Sequence, residues 1–173
     1  SASPQNIAER RLYRARLDAS GTVEAVTPAA QAGTHGYNPS PNWRYALHTV
    51  SRFDTPGVLD MVRLPDHSSL RTIVDNAQLR SRLARLRLGR TEFRQIALPD
   101  GRRLNSRIIF PPDFDPSRRY PLLIPSYGAP LPLPFGSQAV VDAWGGGGYL
   151  WHQMLAQRGY VVAEVDGIGT HGR

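Results

Sequence analysis

The stretch YVVAEVDGIGTHGR, residues 160–173, decides how the second half of this chain is read. Its first part, YVVAEVD (160–166), reads as a short strand of the kind covered on both faces. Gly167, Gly169 and Gly172 then spell G-x-G-x-x-G. A dinucleotide-binding turn uses that spacing to open a helix, with an acid about 20 residues further on for the ribose. The given sequence ends one residue after Gly172, so it does not reach either context. The run reads as the fourth strand of its sheet, whereas the dinucleotide turn usually follows the first. The glycines are therefore expected to shape a loop at the carboxyl edge of a sheet, where α/β proteins build active-site walls.

Working upstream, YLWHQMLAQRGY (149–160) has helical spacing, with Leu150, Met154 and Leu155 expected on its apolar face and Gly159 as its stop. PLLIPSYG (121–128) reads as another strand buried on both faces. Before it, TEFRQIAL and RRLNSRIIF flank Asp100-Gly101, a hairpin signal because the glycine supplies positive φ. A hairpin followed by strand, helix and strand is how an α/β-hydrolase sheet begins.

The first half has a different grammar. Short alternating runs at 12–18, 22–27, 44–51, 58–64 and 70–74 are separated by turn clusters such as AGTHGYNPSPN and FDTPG. Four or five antiparallel strands in this length equal about one β-propeller blade of roughly 40–50 residues. Between the halves, Leu79, Leu83 and Leu86 follow a helical period among arginines, predicting an amphipathic linker helix over 76–90. The expected organisation is thus a blade at 11–75, a linker helix at 76–90 and the N-terminal part of an α/β-hydrolase domain at 91–173.

Composition limits the alternatives. The 173 residues carry a net charge of +7, and every one of the 21 basic residues is arginine. The arginines are scattered apart from a cluster over 80–94, so nucleic-acid binding is not expected. No apolar run reaches the roughly 18–20 residues of a membrane span. With no cysteine there is neither disulfide nor thiolate chemistry. SASPQNIAER has no initiator Met and reads as an internal start or a tag remnant, which leaves cytoplasm and periplasm both open.

The chemistry-bearing residues are few. Gly145–Gly148 lacks the G-K-[ST] of a phosphate cradle, and the five histidines, His35, His48, His67, His152 and His171, show no metal-ligand spacing. No cofactor or metal is expected. A triad drawn through Ser126, His152 and Asp166 fails on mechanics, because Ser126 has no G-x-S-x-G elbow and no serine in the chain has one. Tyr127 follows a strand at the sheet's carboxyl end. Its phenol could donate to an oxyanion or simply pack there.

Residues 91–130 and DAWGGGGYLWHQMLAQRGYVVAEVDGIGTHGR (142–173) resemble the start of the catalytic domain of the prolyl oligopeptidase family, dipeptidyl peptidase IV branch. YNPSPNWRYALHTVSRFDTP is similar to the last propeller blade of those enzymes. The resemblance implies a β-propeller joined to an α/β-hydrolase, this chain being a fragment of the two-domain enzyme. It implies a serine peptidase that releases N-terminal dipeptides after proline or alanine through a Ser-Asp-His triad. Tyr127 falls on the family's oxyanion-hole tyrosine, and DGIGTHGR on its D-x-R-G-T-x-G-R loop, with Ile168 in place of Arg. The triad is expected beyond Arg173 and the amine-binding acids before Ser1, so the chain alone is expected to be inactive and sticky. The partners implied are a peptide substrate, the remainder of the polypeptide and a second copy in a homodimer. An acylaminoacyl peptidase and a truncated, non-catalytic binding module are the competing readings.

Overall fold

A computed structural model describes residues 6, 8–18, 21–125, 139–145, 148–168 and 170. The chain divides into two compact units, one of Ser1–Arg82 with Val141–Trp144, the other of Leu83–Val140 with Gly145–Arg173.

The first unit is built of antiparallel strands. β1 (Tyr13–Ala15) and β2 (Val23–Ala25) form a two-stranded ribbon. β3 (Thr34–Pro39), β4 (Tyr45–Arg52), β5 (Thr55–Arg63) and β6 (Ser68–Val74) form a meander in sequence order. Alternation sets the faces, since along β4 Ala46 and His48 are buried while Tyr45 and Leu47 are exposed.

Two sequence expectations change here. THGYNP lies inside a stretch read as a turn cluster, yet it is β3. Its glycine is what the pairing needs, because a Cβ at Gly36 would lie 2.6 Å from the Thr49 hydroxyl on the facing strand. FDTPG, also read as a turn, contains the start of β5. The Pro56 nitrogen has no hydrogen to donate, and the β4–β5 register shifts between Val50 and Arg52, opposite it.

α1 (Ala77–Leu83) is shorter than the helix expected over 76–90. Within the second unit, the backbone of 87–90 bonds elsewhere. Arg90 C=O accepts from Phe110 N–H at 2.9 Å, and Arg87 C=O accepts from the Gln157 amide at 3.0 Å. Tertiary partners there replace the i→i−4 bonds that a continued helix would make.

The second unit holds a four-stranded sheet in the order β7-β8-β10-β9. β7 (Thr91–Ala97) and β8 (Arg103–Ile109) form the expected hairpin, with Gly101 at φ 84. β10 (Val161–Val165) runs antiparallel to β8 and parallel to β9 (Leu122–Leu123). α2 (Tyr149–Gln157) connects β9 to β10, giving the expected strand–helix–strand crossover.

Two further expectations fail in this unit. Among the described residues β9 is a two-residue edge strand, and Leu122 and Ile124 are exposed rather than covered. On α2 the buried face is Tyr149, His152, Gln153 and Ala156, while Leu150 and Met154 are exposed and Leu155 is intermediate. The helical period is as read, but its inward stripe is partly polar. The reason is Gln153, whose side-chain amide accepts from Gly89 N–H at 2.7 Å and donates to Gly89 C=O at 3.0 Å. A buried peptide group that no helix or ladder satisfies selects a polar side chain at that position.

Candidate functional site

The adjacent parallel strands β9 and β10 end at one edge of the second unit's sheet, the edge at which open α/β sheets bind ligands. From β9 the chain runs through Ile124 and Pro125 into 126–138, which lie outside the described residues. Ser126 and Tyr127 fall within that stretch, as Gly169, His171 and Gly172 fall outside at the C-terminal end.

The chain returns at Ala139–Val140, where two buried charged side chains grip its backbone. The fully buried Asp166, directly after β10, accepts from Ala139 N–H at 2.8 Å and from Val140 N–H at 3.2 Å. Its own N–H donates to Asn105 C=O at 2.9 Å, which fixes the strand end. Arg107 on β8 donates to Ala139 C=O at 3.3 Å and forms an ion pair with Glu164, its direct cross-strand neighbour. Both polar groups of Ala139 are thereby held. These two charges therefore define the downstream anchor of the segment that contains Tyr127.

The Ser126–His152–Asp166 triad has no support in this geometry. Asp166 is occupied by backbone N–H groups, and His152 is buried on α2 with its Nδ1 3.9 Å from Glu164 and without a hydrogen-bond partner. Burial, with the Arg107 cation adding to it, holds the His152 ring below its ordinary pKa. A neutral imidazole locked in a core is a structural residue rather than a proton carrier. Gly145 and Gly148 adopt left-handed conformations, φ 74 and 71, on the way into α2. An open groove of about 580 Å³ gathers Arg85, Arg87, Asp113, Arg118 and Tyr120. Its lining includes no Ser, Cys or His, so it offers no Ser–His or Cys–His pair.

Sequence reasoning treated the other histidines singly and missed what the first unit does with three of them. His35, Tyr37, His48 and His67 converge through β3, β4 and the turn before β6. His35 Nδ1 lies 2.9 Å from His48 Nε2, and the Tyr37 hydroxyl 2.8 Å from both His67 Nε2 and Thr27 Oγ1. The only sequence-level signal was alternation, which puts His48 on the inward face of β4. Among the described residues no group of three His, Cys, Asp or Glu side chains is arranged to hold a metal ion. No described helix is long and apolar enough to cross a membrane.

No protein-family model matches the chain. The crystal structure of dipeptidyl peptidase 4 from Porphyromonas gingivalis superimposes with a TM-score of 0.83 at 36% identity, over 98% of this chain. The protein named Probable dipeptidyl-aminopeptidase B of Emericella nidulans is 33% identical over 168 residues, 94% of this chain. Probable dipeptidyl peptidase 4 of Aspergillus flavus is 30% identical over 161 residues. The chain spans 22% of the bacterial protein and 17% and 18% of the two fungal ones. Sequence likeness along nearly its whole length, together with the shared fold, shows that the chain belongs to the dipeptidyl peptidase IV branch of the prolyl oligopeptidase family.

Proposed function

We propose that this chain is part of a serine peptidase that releases N-terminal dipeptides after proline or alanine, and that it supplies the oxyanion-hole tyrosine, Tyr127. The observation carrying this reading is the likeness over nearly the whole chain to dipeptidyl peptidase 4. Two features of the second unit support it. The order β7-β8-β10-β9, with an antiparallel first pair and a parallel crossover, is that of a sheet opening an α/β-hydrolase. Tyr127 follows the last residue of β9 by four positions in the chain, and in this reading it lies beside the carbonyl under attack.

There the phenol donates a hydrogen bond to the oxygen that becomes negative as a serine adds to the scissile carbonyl. A donor aimed at developing charge is a large term in acyl transfer. The first unit is read as the last propeller blade, and α1 as the connection to the hydrolase domain. The nucleophile, Asp and His come from residues outside this sequence, since no G-x-S-x-G occurs in it.

The test is turnover of Xaa-Pro and Xaa-Ala p-nitroanilides by the full-length polypeptide, with fluorophosphonate labelling of its serine. Turnover and labelling are expected there, and neither in the 173-residue chain alone. Full-length protein that releases N-acylated residues would move the assignment to an acylaminoacyl peptidase. Protein that is neither labelled nor active would leave the binding-module reading.

A further inference from the structure

The hydrogen-bond pattern of the first unit fixes the protons on two of its histidines, His35 and His48. Gln31 C=O can only accept, so the His35 Nε2 that lies 3.1 Å from it carries the hydrogen. Neutral His35 then presents a bare Nδ1, and His48 Nε2–H donates to it across 2.9 Å. This leaves the buried Nδ1 of His48 as a lone pair without a hydrogen-bond partner. A second chain runs from Leu12 N–H to Thr27 Oγ1, at 2.8 Å, then to the Tyr37 hydroxyl and on to His67 Nε2. The His35 and His48 rings also stack, with centroids 5.1 Å apart, and His67 meets His48 edge-on at 4.7 Å.

Such a network has little room for a positive charge. A proton on His35 Nδ1 would point directly at the His48 N–H. A proton on His48 Nδ1 would place a cation in a fully buried ring touching two other histidines. The surrounding charges offer limited relief. Arg11 faces His35 and repels a cation, and Glu9 is already paired with Arg11 at 3.1 Å. Asp66, which faces His67, is paired with Arg63 at 2.7 Å. Asp60, opposite His48 across the β4–β5 ladder, is the one carboxylate facing His48, and its Oδ1 is buried without a hydrogen-bond partner.

We propose that the His35–His48–His67 network is an acid-released latch. With all three rings neutral it ties the Leu12 and Thr27 segments and the 28–33 loop to the β3–β4–β5 meander, and protonation undoes that tie. Burial, followed by the neighbouring histidines, holds His48 at about 4 against an ordinary 6.5. Burial likewise lowers His35 and His67. These folded values lie below the unfolded ones. The stabilisation is therefore complete above pH 6.5 and is lost as pH falls towards 4. For His48 alone, the opening equilibrium rises on the order of 30-fold between pH 7.5 and pH 5.

The experiment is hydrogen exchange by mass spectrometry on the full chain at pH 7.5 and 5.0, corrected for intrinsic exchange and followed in peptides covering 34–52. A loss of protection of tenfold or more at pH 5.0 is expected. In His48→Gln, whose amide can still donate to His35 Nδ1 but takes no proton, most of that loss should disappear. Equal protection at the two pH values in the wild type, or an undiminished loss in His48→Gln, overturns the proposal. Should His48→Gln not fold, histidine ring resonances titrated by NMR in a His152→Gln background decide instead. A resonance with its midpoint near 4 supports the latch, and all midpoints near 6.5 overturn it.

Discussion

Replacing Arg107 by Met tests how the sheet edge is held. The Arg107 side chain is 0% exposed and that of Glu164 9%, so they form a buried cross-strand ion pair, and Arg107 also donates to Ala139 C=O. Methionine fills much of the space but leaves the Glu164 carboxylate buried without its cation. Removing one partner of such a pair costs about 3–5 kcal/mol. Losing the Ala139 bond adds roughly 1 kcal/mol. With a urea m-value of about 1–3 kcal/mol/M, the midpoint should fall by roughly 2 M. Arg107→Met combined with Glu164→Leu removes both charges and should recover most of the loss, because desolvation offsets much of the attraction in such pairs. Urea unfolding of the four variants of the cycle, followed by far-UV circular dichroism, gives the coupling. A single Arg107→Met shift under about 0.5 M, or a double variant no better than the singles, would refute the reasoning.

Gly89→Ala places a Cβ 1.9 Å from the Phe110 carbonyl oxygen and disturbs both bonds to Gln153. A loss of about 2–4 kcal/mol in urea unfolding is expected. In the first unit, Asp142→Ala strands the Phe53 N–H that now donates to its carboxylate at 2.7 Å, and thermal melts should show about 1–3 kcal/mol lost. Asp142→Asn, which keeps an acceptor, should lose less than half as much. His152 is held below 6.5 by burial and by Arg107, so its contribution is present above pH 6.5 and fades as pH falls. Hydrogen exchange in 103–109 and 161–165 should therefore accelerate in acid, and less so in His152→Gln. On the proposed function, Tyr127→Phe in the full-length polypeptide should lower kcat by about 10²–10³-fold with KM little changed. Steady-state kinetics on an Xaa-Pro anilide checks this.

Sequence by itself determined the strand–helix–strand crossover around α2, the Asp100-Gly101 hairpin and the family. Each rests on local pattern, in apolar runs, a turn dipeptide and motifs that read the same whatever they pack against. It also showed that these residues contain no G-x-S-x-G elbow, since that motif is contiguous. Only tertiary structure decided the rest. β3 was hidden because its glycine, asparagine and proline mark turns locally, and only Thr49 on the facing strand makes Gly36 a strand residue. The inward face of α2 was hidden because Gln153 is selected by the unmet peptide of Gly89, 64 residues away in the chain. The roles of Asp166, Arg107 and the three histidines were hidden for the same reason. A buried polar group is explained by its partner, and in these cases the partner lies on another strand or loop that the chain reaches only by folding.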